Sequence, residues 1–492
     1  MDSEDKLNIE KWTLKLDDKI KNMISLEKNF TFILTNKSFY IYEKTKDSLN
    51  QIGIPSSDKN INTLGVKYDT SRIWCDKNGI HVIFKLDRIA YYYNNFLQDK
   101  KIIKELKLEY DNDYIEPFSF AFNNNNQNHK NTDEILFSDY NSCIYTLNIK
   151  VEDNGEIHEK INKVFDFRYI NSELYINNQS EDAKEKEKEE RLNDLLESNH
   201  FKIEKDDRIM DMKLFYHEEK IGTGKKAVIN KSYFILAVSK RIIFQFTGIN
   251  SLSEVFSKYK TENNEINDDE LLKNCKIFPK INKINLEKTR IQTFTSKDRK
   301  PSFYWNNECG FCMWKLIGTP VPLPQKEFNL YNYVKLKNDG TYEKKPIPVM
   351  CCQTQYCIYF LYNDCLIIQS TLTNNIIHVE NLKENYLDIY YNSEMDKLIL
   401  YSNNDIIKIS LDHEYNNLWK NYIERGEFDL ALTTFSLEDE NLRAKIFKLN
   451  GDLLFEKKDY DSSANYYALS DENFEHVCLK FMKLKNINTL IN

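Results

Sequence analysis

Seven times before Leu411, a short apolar run meets a polar turn and then a second apolar run. The seven are Phe32–Tyr42 (FILTNKSFYIY), Val82–Tyr93, Ile135–Leu147, Ile235–Phe246, Ser302–Leu316, Cys357–Ser370 and Leu398–Leu411 (LILYSNNDIIKISL). β-Branched and aromatic residues flank turns rich in Asn, Asp, Ser or Lys, so each reads as a β-hairpin. The turns fall near residues 36, 86, 139, 240, 305, 363 and 403. Most intervals are roughly 40–65 residues, the length of a four-stranded propeller blade. A hairpin recurring at such a period predicts a closed repeat fold, and therefore no single catalytic pocket by default. The expected fold class is mainly β: a seven-bladed β-propeller over residues 1–412.

One interval is about twice the others, and the segment inside it supplies the reason. From Ser180 to Arg208 the chain is SEDAKEKEKEERLNDLLESNHFKIEKDDR, with hardly a core residue. It reads as a solvated insertion, its first part able to form an exposed helix through Asp182/Lys186 and Glu187/Arg191. A second polar stretch, over about residues 258–282, reads as another long loop. Asn123–Asn126 predict a loop excursion. Deleting Ser180–Asp207 is expected to leave the propeller folded. A large fall in melting temperature on deletion would mean that this interval holds a blade.

After Asp412 the hydrophobic period changes from two to about 3.6. Leu418, Trp419, Tyr422 and Ile423 mark one helical face, broken at Arg425-Gly426; Phe428, Ala431, Leu432 and Phe435 mark the next. The pattern returns with Phe447, Gly451, Leu454 and Phe455, then Tyr460, Ala464, Tyr467 and Ala468 after Lys457-Lys458. A third set starts at Phe474, Val477, Cys478 and Phe481, with Ser470 expected as N-cap and Asp471 and Glu472 in the first turn. Small residues at Ala431, Gly451 and Ala464 allow close helix crossings. Residues 413–492 thus predict the first helical hairpins of a TPR-like or clathrin-repeat-like α-solenoid. Such arrays need a polar cap, yet Leu490 and Ile491 stand at the end, so the expectation is an array that continues beyond this chain.

Composition excludes several classes. The 68 basic and 76 acidic residues leave a net charge of −8 with no basic stripe, which argues against nucleic acid as a partner. The acidic start lacks a secretory h-region, and no apolar run approaches the ~20 residues of a bilayer span. An intracellular, soluble protein is expected. The ten cysteines lack framework spacing, as reduced cytosolic thiols would. Cys309-Gly-Phe-Cys312 on a regular strand would point to opposite faces, and no second pair or nearby His completes a zinc set. Buried structural thiols are the reading there, and equally at Cys351, Cys352, Cys357 and Cys365.

Gly222-Thr-Gly224-Lys225-Lys226 lacks the Gly at position 219 and the Ser or Thr at 226 that a phosphate loop needs. No GxSxG elbow, HExxH or EF-hand loop is present. Some propellers are glycosidases with carboxylate pairs in the channel, but most carboxylates here lie in turns and insertions. No catalytic, cofactor-binding or metal residue is predicted, and no enzyme activity.

Several segments resemble the vacuolar protein sorting-associated protein 18 (deep-orange) family. Tyr415–Leu432 (YNNLWKNYIERGEFDLAL) is similar to the family's junction, where a Trp-Lys-x-Tyr-Leu segment leads through a short turn into an Ala-Leu helix. Within Gly451–Leu484, Ser470, Phe474, Glu475, Val477, Leu479, Lys480 and Phe481 follow the next repeat. Ile235–Gly248 matches a strand pair ending in a Gln-Phe-x-Gly step, and Lys300–Trp314 stands in place of a Pro-Ser-Phe segment. Glu308-Cys-Gly-Phe-Cys312 departs there from a Gly-rich turn. The resemblance is strongest from about Tyr386 onward, and the family's zinc-binding RING domain has no counterpart here. It implies a non-enzymatic scaffold subunit of an endolysosomal or vacuolar tethering complex (the HOPS/CORVET core). Implied partners are sister vacuolar-sorting subunits and, indirectly, small GTPases and SNAREs. The implied location is cytoplasmic, peripheral on late endosome, lysosome or vacuole membranes, with no cofactor and no small-molecule substrate. A vesicle-coat or nuclear-pore scaffold of the same architecture is the alternative, with a propeller enzyme as the less favoured one.

Overall fold

A computed structural model of the protein describes residues 7–26, 30–55, 71–96, 103–123, 130–152, 156–167, 208–221, 228–240, 242–260, 266–277, 289–295, 301–306, 310–315, 328–330, 334–336, 342–344, 348–373, 375–392, 395–411, 414, 418–419, 422–423, 425–433 and 440–482. The charged segment expected as an insertion lies outside these residues up to Asp207. So do Gly222–Lys226, Cys309 and Phe435.

Each predicted hairpin forms the two central strands of a four-stranded antiparallel sheet. In the first sheet Phe30–Thr35 and Ser38–Glu43 sit between Ile20–Ser25 and Ser48–Gly53. The second is Arg72–Cys75, His81–Leu86, Ile89–Asn94 and Lys104–Glu105; the third is Pro117–Ala121, Ile135–Asp139, Cys143–Val151 and Ile157–Asp166. Asp211–Ile221, Val228–Val238, Ile242–Ile249 and Cys275–Ile277 form the fourth, and Ile291–Thr295, Pro301–Asn306, Gly310–Lys315 and Phe328–Leu330 the fifth. Met350–Gln353, Cys357–Leu361, Cys365–Ser370 and Ile376–Asn381 make the sixth. The seventh joins Asp388–Asn392, Lys397–Tyr401 and Ile406–Ser410 to Ile9–Lys11 from the other end of the chain. Turn residues Asp47, Asp87 and Asp396 take positive φ, which Asp tolerates better than bulky residues do.

Central strands such as Phe30–Thr35 and Ile89–Asn94 are largely apolar because both faces are buried. Phe32 and Leu34 pack with Val82 and Phe84 of the second sheet, whereas Ile33 between them packs with Ile399 and Tyr401 of the seventh. Ile83 likewise turns the other way, to Phe120 and Phe137 of the third sheet. Further clusters join the third sheet to the fourth and the sixth to the fifth and seventh. Phe215 and Phe303 meet edge to face at 5.0 Å between the fourth and fifth. The succession of neighbours returns to its start: a propeller-type fold, mainly β.

Ile9, Glu10 and Lys11 pair with Ile409, Lys408 and Ile407. Glu10 binds Lys397 at 2.8 Å, Lys11 binds Asp405 at 2.6 Å, and Lys408 lies over the Trp12 ring. Hydrogen bonds between the first and last strands of the β region thus complete the last sheet.

The polar stretch expected as a loop at 258–282 is partly regular. Helix α1 (Leu252–Ser257) ends just before it, and helix α2 (Asp268–Lys273) and the fourth strand of the fourth sheet, Cys275–Ile277, lie within it. Burial of Leu271 secures α2, an apolar contact that outweighs the surrounding charge. Ser251 caps α1, whose Leu252, Val255 and Phe256 are buried. Helix α1 crosses so close to Gly248 that a Cβ there would stand 2.8 Å from the Val255 Cα. Backbone cannot yield as a side chain can. Gly248→Ala is therefore expected to cost about 1–3 kcal/mol in urea unfolding, and Gly248→Val more; an unchanged midpoint would refute this close approach.

Helices α3 (Phe428–Thr433), α4 (Glu440–Glu456), α5 (Tyr460–Ala468) and α6 (Phe474–Met482) follow. Gly426, at φ +74°, ends the turn before α3. Trp419, Phe428, Ala431 and Ile446 form one buried cluster, and Gly451 lies against the Tyr467 ring. Ser470 is not the cap of α6. Its hydroxyl donates to Tyr467 O (2.7 Å) and accepts from Glu472 N, closing α5 instead. Asn473 caps α6, its side chain accepting from Glu475 N at 3.0 Å. Asp471 and Glu472 thus precede the helix, because the helical backbone starts three residues later than the Ser-Asp-Glu signal suggests.

Candidate functional site

Two buried carboxylates, Asp211 and Asp388, stand on the first strands of the fourth and seventh sheets. Neighbouring first strands pack together from the seventh sheet to the first and second, and from the third through the fourth to the fifth. Each of several carries a charged or amide side chain that turns away from the inter-sheet cores.

Asp211 joins four sheets. One carboxylate oxygen accepts from Arg72 Nη2 of the second sheet (2.9 Å) and Ser119 Oγ of the third (3.2 Å). The other accepts the backbone N–H of Ile291 in the fifth at 2.9 Å. Arg72 also donates to Met210 O and lies over the Trp74 ring. Asp388 of the seventh sheet receives Arg290 in bidentate fashion, with both N···O distances 2.9 Å. Tyr390 Oη donates to the same carboxylate, and its ring lies 4.6 Å from the guanidinium carbon. Asn22 of the first sheet accepts from Ile73 N and donates to Tyr401 Oη of the seventh.

Burial works against the charge of Arg290, and the adjoining Asp388 more than offsets it, holding the guanidinium firmly protonated. Lys213, two residues along the strand from Asp211, is shifted down by burial and by Arg72 and Arg290, against the pull of Asp211. Burial raises the Tyr390 phenol, aided by Asp388, and pushes the Cys352 thiol up to about 12. The two central carboxylates each face a guanidinium. Both serve as hydrogen-bond acceptors that bind sheets together.

A different carboxyl lies where the chain leaves the seventh sheet. Glu414 is 2 % exposed. Thr354 Oγ stands 2.7 and 2.9 Å from its two oxygens, and Tyr359 Oη donates to one of them. Burial pushes this carboxyl up to about 7, against those two hydrogen bonds.

Cys351, Cys352, Cys357 and Cys365 are buried free thiols in the sixth sheet. Cys309 lies outside the described residues, as does the side chain of Cys312. Among the described residues, no three His, Cys, Asp or Glu side chains stand close enough to hold a metal ion. No helix among them is long and apolar enough to cross a membrane. The central residues were missed in the sequence. Their one signal is a lone charge opening a short apolar strand or directly preceding it, as in Arg72-Ile-Trp, Arg290-Ile and Asp388-Ile-Tyr.

A profile of the Pep3/Vps18/deep orange beta-propeller domain matches residues 6–411. A vacuolar protein sorting-associated protein 18 homolog of Drosophila melanogaster is 29% identical over 143 residues, which is 28% of this chain and 14% of the relative. The homolog from Danio rerio is 24% identical over 53% of this chain and 26% of its own length. Vacuolar sorting protein 18 of Arabidopsis thaliana is 22% identical over 58% of this chain and 30% of its own. The matches therefore span less than a third of each of these relatives.

Proposed function

Because the chain belongs to the Pep3/Vps18/deep orange beta-propeller family, we propose that it is a non-enzymatic scaffold subunit of an endolysosomal or vacuolar tethering complex. The family match over residues 6–411 is the observation that carries this reading. In it, residues 1–412 are a seven-bladed head that offers loops and sheet edges to partners, and residues 413–492 begin an α-solenoid arm that sets distance. The seven four-stranded sheets and the helix pairs from α3 to α6 support that division. Pairing of the central carboxylates with guanidinium groups supports a structural role for the middle of the head.

The assembly is the HOPS/CORVET core, acting in vesicle docking and fusion and in protein transport to the lysosome or vacuole. Its other vacuolar-sorting subunits bind this chain directly, and small GTPases and SNAREs bring it to the cytoplasmic side of late endosomal, lysosomal or vacuolar membranes. No cofactor, small-molecule substrate or nucleic acid takes part. Purification of the tagged full-length protein followed by mass spectrometry tests this. Sister vacuolar-sorting subunits are the expected yield. Recovery of clathrin-type coat or nuclear-pore components without them would overturn the assignment.

A further inference from the structure

Glu414 stands at the seam between two separately packed bodies. Leu411 is the last residue of the cluster joining the sixth and seventh sheets. Trp419 opens the cluster formed by the helices, beside Leu418, which is 2 % exposed. Between those anchors, Glu414 reaches back to the sixth sheet and inserts its carboxyl against Thr354 and Tyr359. Glu414 N also donates to Leu411 O at 2.8 Å. The side chain thus ties the start of the helices to a sheet one position behind the strand they follow.

The Tyr359 and Thr354 hydroxyls and the Tyr356 N–H favour the ionised form and burial outweighs them, while the neutral acid has an alternative pairing of its own. Thr354 Oγ lies 3.1 Å from Cys357 O, to which its single proton can go, and it accepts from Cys357 N at 3.2 Å. In that arrangement the 2.9 Å contact with Glu414 Oε2, which Thr354 Oγ donates to the ionised form, reverses, and the hydroxyl accepts the O–H of the protonated carboxyl. Tyr359 Oη donates to the other oxygen. The groups facing the carboxyl are the Tyr359 phenol, the Thr354 hydroxyl, the Cys352 and Cys357 thiols and the Tyr356 N–H from the sixth sheet, with Asp396 on the seventh. No cation pairs with Glu414 among the described residues. An ionised carboxylate there is a buried charge compensated by hydrogen bonds alone, beside a second carboxylate.

We propose that Glu414 is a proton-dependent latch, holding the helices in a fixed direction on the propeller while its carboxyl is neutral and releasing them when it ionises. The inference does not depend on the tethering assignment. Its sign follows from linkage. A carboxyl raised in the docked state keeps its proton where the undocked one has lost it, so docking is strongest below the ordinary Glu range and weakens as pH rises through about 7.

The test is hydrogen exchange of backbone amides over residues 411–433 of the full chain, corrected for the intrinsic pH dependence of exchange. Opening in the wild type is expected to rise about tenfold between pH 6 and pH 8. Glu414→Gln can accept from Tyr359 Oη and donate to Thr354 Oγ without ionising, so its opening should stay level over that range. Should the Gln variant pack poorly, Tyr359→Phe provides a second reading: it removes a donor to the charged form and should shift the wild-type rise to higher pH. Wild-type exchange flat from pH 6 to pH 8 would overturn the latch. So would an equal rise in Glu414→Gln.

Discussion

Arg290→Met is expected to destabilise the propeller by about 3–5 kcal/mol, because it strands the buried Asp388 carboxylate. The two side chains are 12 % and 6 % exposed and meet through two parallel 2.9 Å bonds. Arg290 lies just before the first strand of the fifth sheet and Asp388 opens that of the seventh, so the pair also bridges sheets that are not neighbours. Asp388→Asn should cost a similar amount, leaving the guanidinium without its counter-charge. The decisive comparison is the pair replaced together. Arg290→Met with Asp388→Leu removes both charges from the interior, and buried ion pairs replaced in this way are often neutral or stabilising. Urea unfolding of the two single variants and the double should therefore show strong non-additivity, with the double nearer the wild type than either single. Simple addition of the two losses would mean that these residues act apart.

The second large effect is expected at Asp211. Asp211→Ala leaves the Arg72 guanidinium, the Ser119 hydroxyl and the Ile291 N–H with no acceptor there. A loss of about 3–5 kcal/mol follows from stranding a charged partner and two neutral donors. Asp211→Asn keeps the shape and one acceptor oxygen but not the charge, so it should fall between. One carboxylate contacts three sheets besides its own, so the loss should appear in every probe of the propeller at once. Tryptophan fluorescence and far-UV circular dichroism should then report the same lowered midpoint. A shift below about 1 kcal/mol in the Ala variant would show that solvent in the middle of the fold replaces the lost acceptor.

Both predictions concern residues that the repeat pattern passes over. The hairpins were legible because central strands such as Phe30–Thr35 and Ile89–Asn94 are buried on both faces, and a strand so placed is largely apolar. The outer strands are half wet: Ile376–Asn381 mixes exposed and partly covered positions, and half of Ser48–Gly53 is polar. Neither stands out from a loop in the sequence. Arg72, Asp211 and Asp388 open inner strands and Arg290 directly precedes one, and such a lone charge reads as the end of a loop until its partner is known. The α2 region shows the same difficulty, since one buried leucine in a charged stretch is weak evidence for order. At Ser470 the capping signal was real but belonged to the preceding turn.

The period of the hairpins and the change to helical spacing after Asp412 are local properties. Turn chemistry and side-chain periodicity act within a few residues of one another, so the sequence by itself determined a β-repeat followed by helices. Contacts between distant residues are different, because their meeting depends on the path of the whole chain. Ile9–Lys11 finds its place only once Ile406–Ser410 arrives beside it. Asp211 acquires its role when Arg72, Ser119 and Ile291 converge on it, and Glu414 when the sixth sheet stands behind the seventh. A lone carboxylate in a sequence is ordinarily a solvated charge. Only the tertiary structure removes the water around it, and that loss of water turns these acids into the ties of the fold.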